Sequence, residues 1–116
     1  PITPGRSYDS RWSGVAHATG SSTTIQLAGT PLVPAGAIGV SANLASDGAA
    51  ADGFLTLTPA GAPRPLVSNL NFAASSPISN AALMRVAAPG AVDAYVNRST
   101  HVIIDVNGYF TGPMPA

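Results

Sequence analysis

Cysteine, lysine and glutamate are all missing from this chain of 116 residues. Without cysteine there is no disulfide framework and no thiolate metal site, and the redox compartment leaves no mark on the sequence. Arginine and aspartate supply the whole charge inventory, five of each, for a formal net charge of zero. Arginines scattered over positions 6, 11, 64, 85 and 98 make no basic patch, which sets nucleic-acid binding aside. No apolar run approaches the roughly 20 residues of a membrane helix, so no membrane insertion is expected. Pro1-Ile2-Thr3-Pro4 has neither the basic nor the apolar region of a signal peptide. A leading proline fits a chain from which an initiator methionine was removed.

Charged residues are only 9% of the chain, against about 25% in an ordinary soluble domain. Two compatible causes are a genome biased toward Ala, Gly, Pro and Arg codons and a surface covered by partner subunits. A near-neutral, charge-poor surface resists association weakly, so self-association into a homo-oligomer is expected. The length fits one domain with one core. We divide it into an extended N-terminal lead-in (residues 1–14), a single domain (15–110) and a short tail (111–116).

What is present is alternation. In residues 99–110, S-T-H-V-I-I-D-V-N-G-Y-F, Val102, Ile104 and Val106 share one wholly apolar face, while Ile103, Asp105 and Asn107 share the other. β-branched alternation of this kind marks a strand with one face on a core, here broken at Gly108. Similar patterns occupy residues 21–27, 38–44, 54–58, 67–72, 82–86 and 92–97, and the lead-in allows a short strand over 6–9. Turn signals separate them: Gly29-Thr30-Pro31, Pro34-Ala35-Gly36, Asp52-Gly53, Pro59-Ala60-Gly61, Pro63-Arg64-Pro65 and Ala88-Pro89-Gly90. Residues 46–52 read as a small loop. Residues 81–88 have a helix-like composition, but the stretch is short and ends on proline. Residues 97–100 read as the turn of a hairpin joining the last two strands. Seven or eight short strands with turns every ten residues predict an all-β antiparallel sandwich, jelly-roll-like or immunoglobulin-like.

Five segments in order, R-S-Y-D-S-R, V-P-A-G-A-I-G-V-S-A-N-L, G-F-L-T-L-T-P-A-G, R-P-L-V-S-N-L-N-F and S-T-H-V-I-I-D-V-N-G-Y-F, cover nearly the whole chain. Together they resemble a repeat-type β-domain of secreted and surface proteins of actinobacteria, which also occurs in proteins of their phages. Ser10, where that family carries Thr, and Asn107, where it carries a small residue or Val, depart mildly. The resemblance brings no catalytic residue. It implies an accessory role in attachment, display or glycan contact.

The residues themselves offer little catalytic chemistry. His17 and His101 are the only imidazole bases, and no G-x-S-x-G elbow is present. His101 and Asp105 share a strand face about 13 Å apart at roughly 3.3 Å per residue, too far for direct contact. A structural hydrogen bond is the expected role of His101. Asp47 and Asp52 flank a loop, but their spacing matches no EF-hand and turn chemistry accounts for both. No enzyme activity, metal or cofactor is expected. A charge within a Val/Ile strand is costly unless paired, so Asp105 or Asp9 is expected to pair with Arg6, Arg11 or another arginine. In that reading Asp9, Arg11 and Asp105 anchor the lead-in to the last strand, with Asp105 buried. Tyr8, Trp12, Asn69, Asn71 and Tyr95 are the candidates for contact with a glycan or a protein partner. Trp12 is the aromatic expected to be exposed, while Tyr109-Phe110 seals the core. These readings combine into a non-enzymatic structural or attachment module. The first setting is the virion surface of an actinobacterial phage, as a capsid decoration or tail component that contacts other virion proteins or host surface glycans. The alternative is an extracellular cell-wall or carbohydrate-binding module of a secreted actinobacterial protein.

Overall fold

The structure, a computed structural model, describes residues 2–63, 68–87 and 90–112. Arg64-Pro65 and Ala88-Pro89 of two expected turns, Val67 as a strand start, and residues 113–116 of the tail lie outside the described residues. The described residues form eight strands: β1 (Gly5–Asp9), β2 (Ser21–Gln26), β3 (Gly39–Asp47), β4 (Gly53–Pro59), β5 (Leu70–Phe72), β6 (Ile78–Arg85), β7 (Ala91–Val96) and β8 (His101–Phe110). A 3-10 turn, Ser10–Trp12, follows β1. The chain is an all-β sandwich of two antiparallel sheets, ordered β1-β8-β3-β6 and β2-β7-β4-β5.

Each of the pairs β1·β8, β2·β7, β3·β6 and β4·β5 joins one strand of the first half to one of the second, in reverse order. A long antiparallel ribbon of that kind, rolled so that β8 meets β3 and β7 meets β4, is a jelly roll. This topology decides between the two sandwich types that the sequence left open. It also overturns the expected hairpin: β7 and β8 are consecutive in the chain but belong to different sheets. The turn at residues 97–100 carries the chain across the core instead of reversing it within one sheet.

The alternation seen in the sequence builds the core. Val40, Ala42 and Leu44 of β3 and Val102, Ile104 and Val106 of β8 face Ile25, Leu55, Leu57, Val92, Ala94 and Val96 of the other sheet, all buried. The connection between β2 and β3 adds Leu27, Ala28 and Val33 as a buried plug, fixed by Gly29 and Thr30 N–H groups donating to the Val33 carbonyl. The strand expected over 82–86 belongs to β6, for which β3 offers an eight-residue ladder, and the helix-like composition of 81–87 forms no helix, which there would have no face to bury. β3 likewise runs through Ser46 and Asp47, which had read as loop.

Gly108 does not end the last strand. The ladder slips between Ser41 and Ala42, so that Gly108 and Val106 oppose consecutive residues of β3 and Asn107 is the extra, bulged residue. The bulge shifts the alternation after it. Tyr109 packs against the core, whereas Phe110 is 43% exposed, so the two aromatics do not jointly seal it.

At the β6–β7 turn Gly90 adopts φ +116°, where a Cβ would run into the Ala28 methyl. Its carbonyl accepts both the Leu27 and Ala28 N–H groups at 2.9 Å. Gly90→Ala adds overpacking to backbone strain, and is expected to cost about 2–3 kcal/mol. Urea unfolding followed by circular dichroism checks this; an unchanged midpoint would show the turn to be compliant.

Candidate functional site

The charged residues expected to anchor the lead-in, Asp9, Arg11 and Asp105, gather with Arg6 at one corner of the first sheet, and a bulge in β1 puts them there. Residues 6 and 9 are an odd number apart and would face opposite ways in a regular strand. The register slips between Arg6 and Tyr8, with Arg6 opposite Asp105 and Tyr8 opposite Ile104, so Ser7 is extra. Arg6 and Asp9 therefore both point outward, and Tyr8 points in. Across the outer face the register then aligns Arg6, Asp105, Asn43 and Ala81 in one row and Asp9, Ile103, Ala45 and Ser79 in the next.

On this face Arg6 holds Asp105 with two parallel bonds, Nε to Oδ1 at 2.8 Å and Nη2 to Oδ2 at 3.2 Å. Its Nη1 also reaches Asp9 Oδ2 at 3.2 Å. Asp9 caps the 3-10 turn by accepting the Arg11 N–H at 2.9 Å, and takes the Arg11 guanidinium through Nη2 at 2.8 Å. Arg11 continues to Asp47 Oδ2 at 3.1 Å. One chain of charge-assisted bonds thus links β8, β1, the 3-10 turn and the end of β3. The buried member is Asp9, whose side chain is 4% exposed; Asp105 is 34% exposed, which corrects the expectation that Asp105 is the buried anchor. Hydrogen bonds from the Arg11 side chain hold the Asp9 carboxyl down at about 2, against an ordinary 3.8. The Arg6 guanidinium is pushed up chiefly by its bonds to Asp105.

Beneath the turn lies a second polar cluster. Ser10, which is buried, accepts the Val102 N–H on Oγ at 2.9 Å, and Oγ lies 2.8 Å from His101 Nδ1. Thr100, also buried, bonds Ser46 Oγ at 2.7 Å and donates to the Asp47 carbonyl at 3.2 Å. The Tyr8 hydroxyl lies 2.7 Å from His17 Nε2, with the two rings edge to face. His17 Nδ1 is buried with no partner among the described residues. Burial pushes the His17 ring pKa below its ordinary 6.5, with His101 adding to the effect. Serine and histidine meet here, but the hydroxyl is enclosed and already bonded twice. It joins the turn to β8. Sequence spacing could not reveal this joint, because Ser10 and His101 are 91 residues apart.

The five contact candidates do not form one site. Tyr8 is committed to His17. Asn69 Oδ1 accepts the Leu57 N–H at 2.7 Å, a structural use. Asn71 Oδ1 accepts from Ser68 Oγ at 2.9 Å in the open. Tyr95 lies on the other sheet, its ring 6.0 Å from that of Phe54, beside a small hollow of about 160 Å³ shared with Ser22, Thr58 and Asp93. Trp12 alone presents a large free face, 67% exposed. It borders an open hollow of about 470 Å³ with Pro4, Gly5, Arg6 and Asp105. A second groove of about 410 Å³ runs along the same outer face, floored by Ala45 and Ile103 and walled by Arg6 and Arg11 on one side and Pro77 and Ile78 on the other. Asp47 and Asp52 do not converge on a cation: Asp47 takes Arg11, and Asp52 accepts the Ala74 N–H at 2.8 Å. Among the described residues no group of three or more His, Asp or Glu side chains could hold a metal, and no helix is long and apolar enough to cross a membrane.

These features define a jelly-roll domain with an outer-face ion-pair network and one exposed tryptophan beside it. No family model, curated protein or solved structure matches the chain.

Acid should weaken this corner in two stages. Both groups have lowered folded-state values, so each contributes stability that is present above its unfolded value and lost as the pH falls. For His17 the loss begins below 6.5; for Asp9 it runs from 3.8 down to about 2. Asp9→Ala removes the cap of the 3-10 turn and one carboxylate from each of Arg6 and Arg11, which keep Asp105 and Asp47, and is expected to cost about 2 kcal/mol at neutral pH. Thermal melts between pH 2 and 7 should show the variant and the parent protein converging at the acid end. A gap that persists at pH 2 would mean that the aspartate charge is not what matters.

Proposed function

We propose that the protein is a non-catalytic structural or attachment module that docks by the Trp12 end of its first sheet onto a larger surface. The observation that carries this reading is the contrast within that corner. Its ion pairs and the Ser10–His101 contact are closed on one another, while Trp12 is left 67% exposed beside the Arg6–Asp105 pair. A rigid aromatic at the centre of a contact, rimmed by hydrogen-bonding groups, is the usual composition of a binding hot spot. The sequence resemblance described above supplies the setting: a virion-surface protein of an actinobacterial phage, decorating the capsid or belonging to the tail. Jelly rolls recur in capsid and lectin domains, which supports either a virion or a glycan as the surface met.

The same hollow favours a second reading. A flat indole face can stack on a sugar ring while Arg6 and Asp105 bond its hydroxyls, as in a cell-wall or carbohydrate-binding module of a secreted actinobacterial protein.

Co-sedimentation with purified phage particles and, separately, with actinobacterial cell walls distinguishes the two settings. Trp12→Ala is expected to weaken binding roughly thirty-fold or more, as a hot-spot residue does. Its folding stability should move by less than about 0.5 kcal/mol, because the ring is exposed. Affinity for neither material, or binding indifferent to Trp12, would refute the proposal.

A further inference from the structure

β6 is an edge strand, and among the described residues no strand pairs with its outer side. It pairs with β3 over its whole length, from Ile78 opposite Ser46 to Arg85 opposite Gly39. At the head of that ladder the Val86 N–H donates to the Ile38 carbonyl. Antiparallel alternation then turns the backbone groups of Ile78, Asn80, Ala82 and Met84 toward β3, and those of Ser79, Ala81, Leu83 and Arg85 away from it. Among the described residues no hydrogen bond ends on the outward set. The side chains of that set lie on the outer face of the sheet, where Leu83 is 72% exposed, the most exposed large apolar side chain among the described residues.

Edge strands of natural sheets are blunted by short length, bulges, proline or charge. Three of the four edges here follow that rule in some form. β1 is bulged and carries Arg6 and Asp9; β5 has only three residues. β2 is shorter than β6, and the exposed positions along it are Ser22, Thr24 and Gln26. β6 has eight residues, no proline, no bulge against β3, and one charge, Arg85, at its end.

We propose that β6 is a self-pairing edge: two copies of the protein join β6 to β6 antiparallel about a twofold axis, making one continuous sheet of the two β1-β8-β3-β6 sheets. A second copy is the occupant because the strand complements itself. With the axis at Ala82, Leu83 faces Ala81 of the other copy and Arg85 faces Ser79, so the exposed leucine gains an apolar neighbour and no arginine meets an arginine. Moving the axis to Ala81 would set Leu83 against Ser79 instead, which is the poorer match. Every outward N–H and C=O of the strand finds a partner in this register. The formal net charge of zero leaves no long-range repulsion between copies to prevent it.

Light scattering on size-separated protein, with amide hydrogen exchange on the same samples, tests the edge. The intact chain is expected to run as a dimer that dissociates on dilution, and the Ser79, Ala81, Leu83 and Arg85 amides should exchange slowly only in the dimer. Ala81→Pro removes an outward N–H and leaves the β3 ladder intact, so it should give a folded monomer. Leu83→Lys, which sets a charge on the strand without touching the backbone, should do the same if the proline variant folds poorly. A monomer at millimolar concentration, a dimer that survives both substitutions, or exchange at these amides that ignores concentration would each overturn the proposal. The inference goes beyond attachment through Trp12 and stands apart from it. A monomer that still binds particles refutes the edge alone, and a β6 dimer without affinity for any surface refutes attachment alone.

Discussion

Asp9 keeps its charge inside the protein, and the corner where the jelly roll closes is built to allow that. A buried carboxylate is costly unless it is paired and hydrogen-bonded. Here it receives a backbone N–H and two guanidinium groups that remain partly hydrated, which limits what their own burial costs. The apolar core supplies more stability in total: each fully buried Val, Leu or Ile contributes about 1.5–3 kcal/mol, and the core holds many. Asp9 decides where β1 sits. A slip of one residue along β8 would turn Asp9 toward Ile104 and the core, and the Ser7 bulge is what keeps Arg6 on the same side as its partner. Bulge, cap and ion pairs need one another.

The same economy governs the other polar groups. Ser10, Thr100, Ser46, Tyr8 and His17 come from distant parts of the chain and meet at the passage between the sheets, where strand ends leave backbone groups to be satisfied. Their bonds stitch the 3-10 turn, the end of β3 and the start of β8 into one joint. The indole of Trp12, the groove floored by Ile103 and the outer side of β6 lie outside this joint.

Much of this was legible in the sequence, and the boundary of what was not has a physical cause. The strands at residues 21–27, 38–44, 54–58 and 92–97 were readable because one buried face imposes a two-residue period, which needs no knowledge of the partner strand. The pairing of an arginine with an acidic side chain followed from the cost of lone charge in an apolar strand. The choice of Asp9 as the buried member did not, because it depends on a bulge that only the β8 register creates. The β7–β8 hairpin failed for a related reason. A short turn between two strands looks the same whether it reverses within a sheet or crosses a sandwich, and the difference lies in strands some fifty residues away. Trp12 stood out as a polar-context aromatic, whereas its neighbours Arg6 and Asp105 are brought to it by the fold. The strand at 82–86 was readable, but that it lies at an edge was not, since an edge is a property of the sheet order.

Pairing β1 with β8 antiparallel brings Gly5, opposite Val106, to the same end of the sandwich as Phe110. Tension applied between those two points would not shear the sheet. It would peel β1 away like a zipper, loading one backbone bond at a time, and the first side-chain bond it met would be the double clasp of Arg6 on Asp105. In mechanical terms the ion pair is the catch on the zipper, placed where the pull begins.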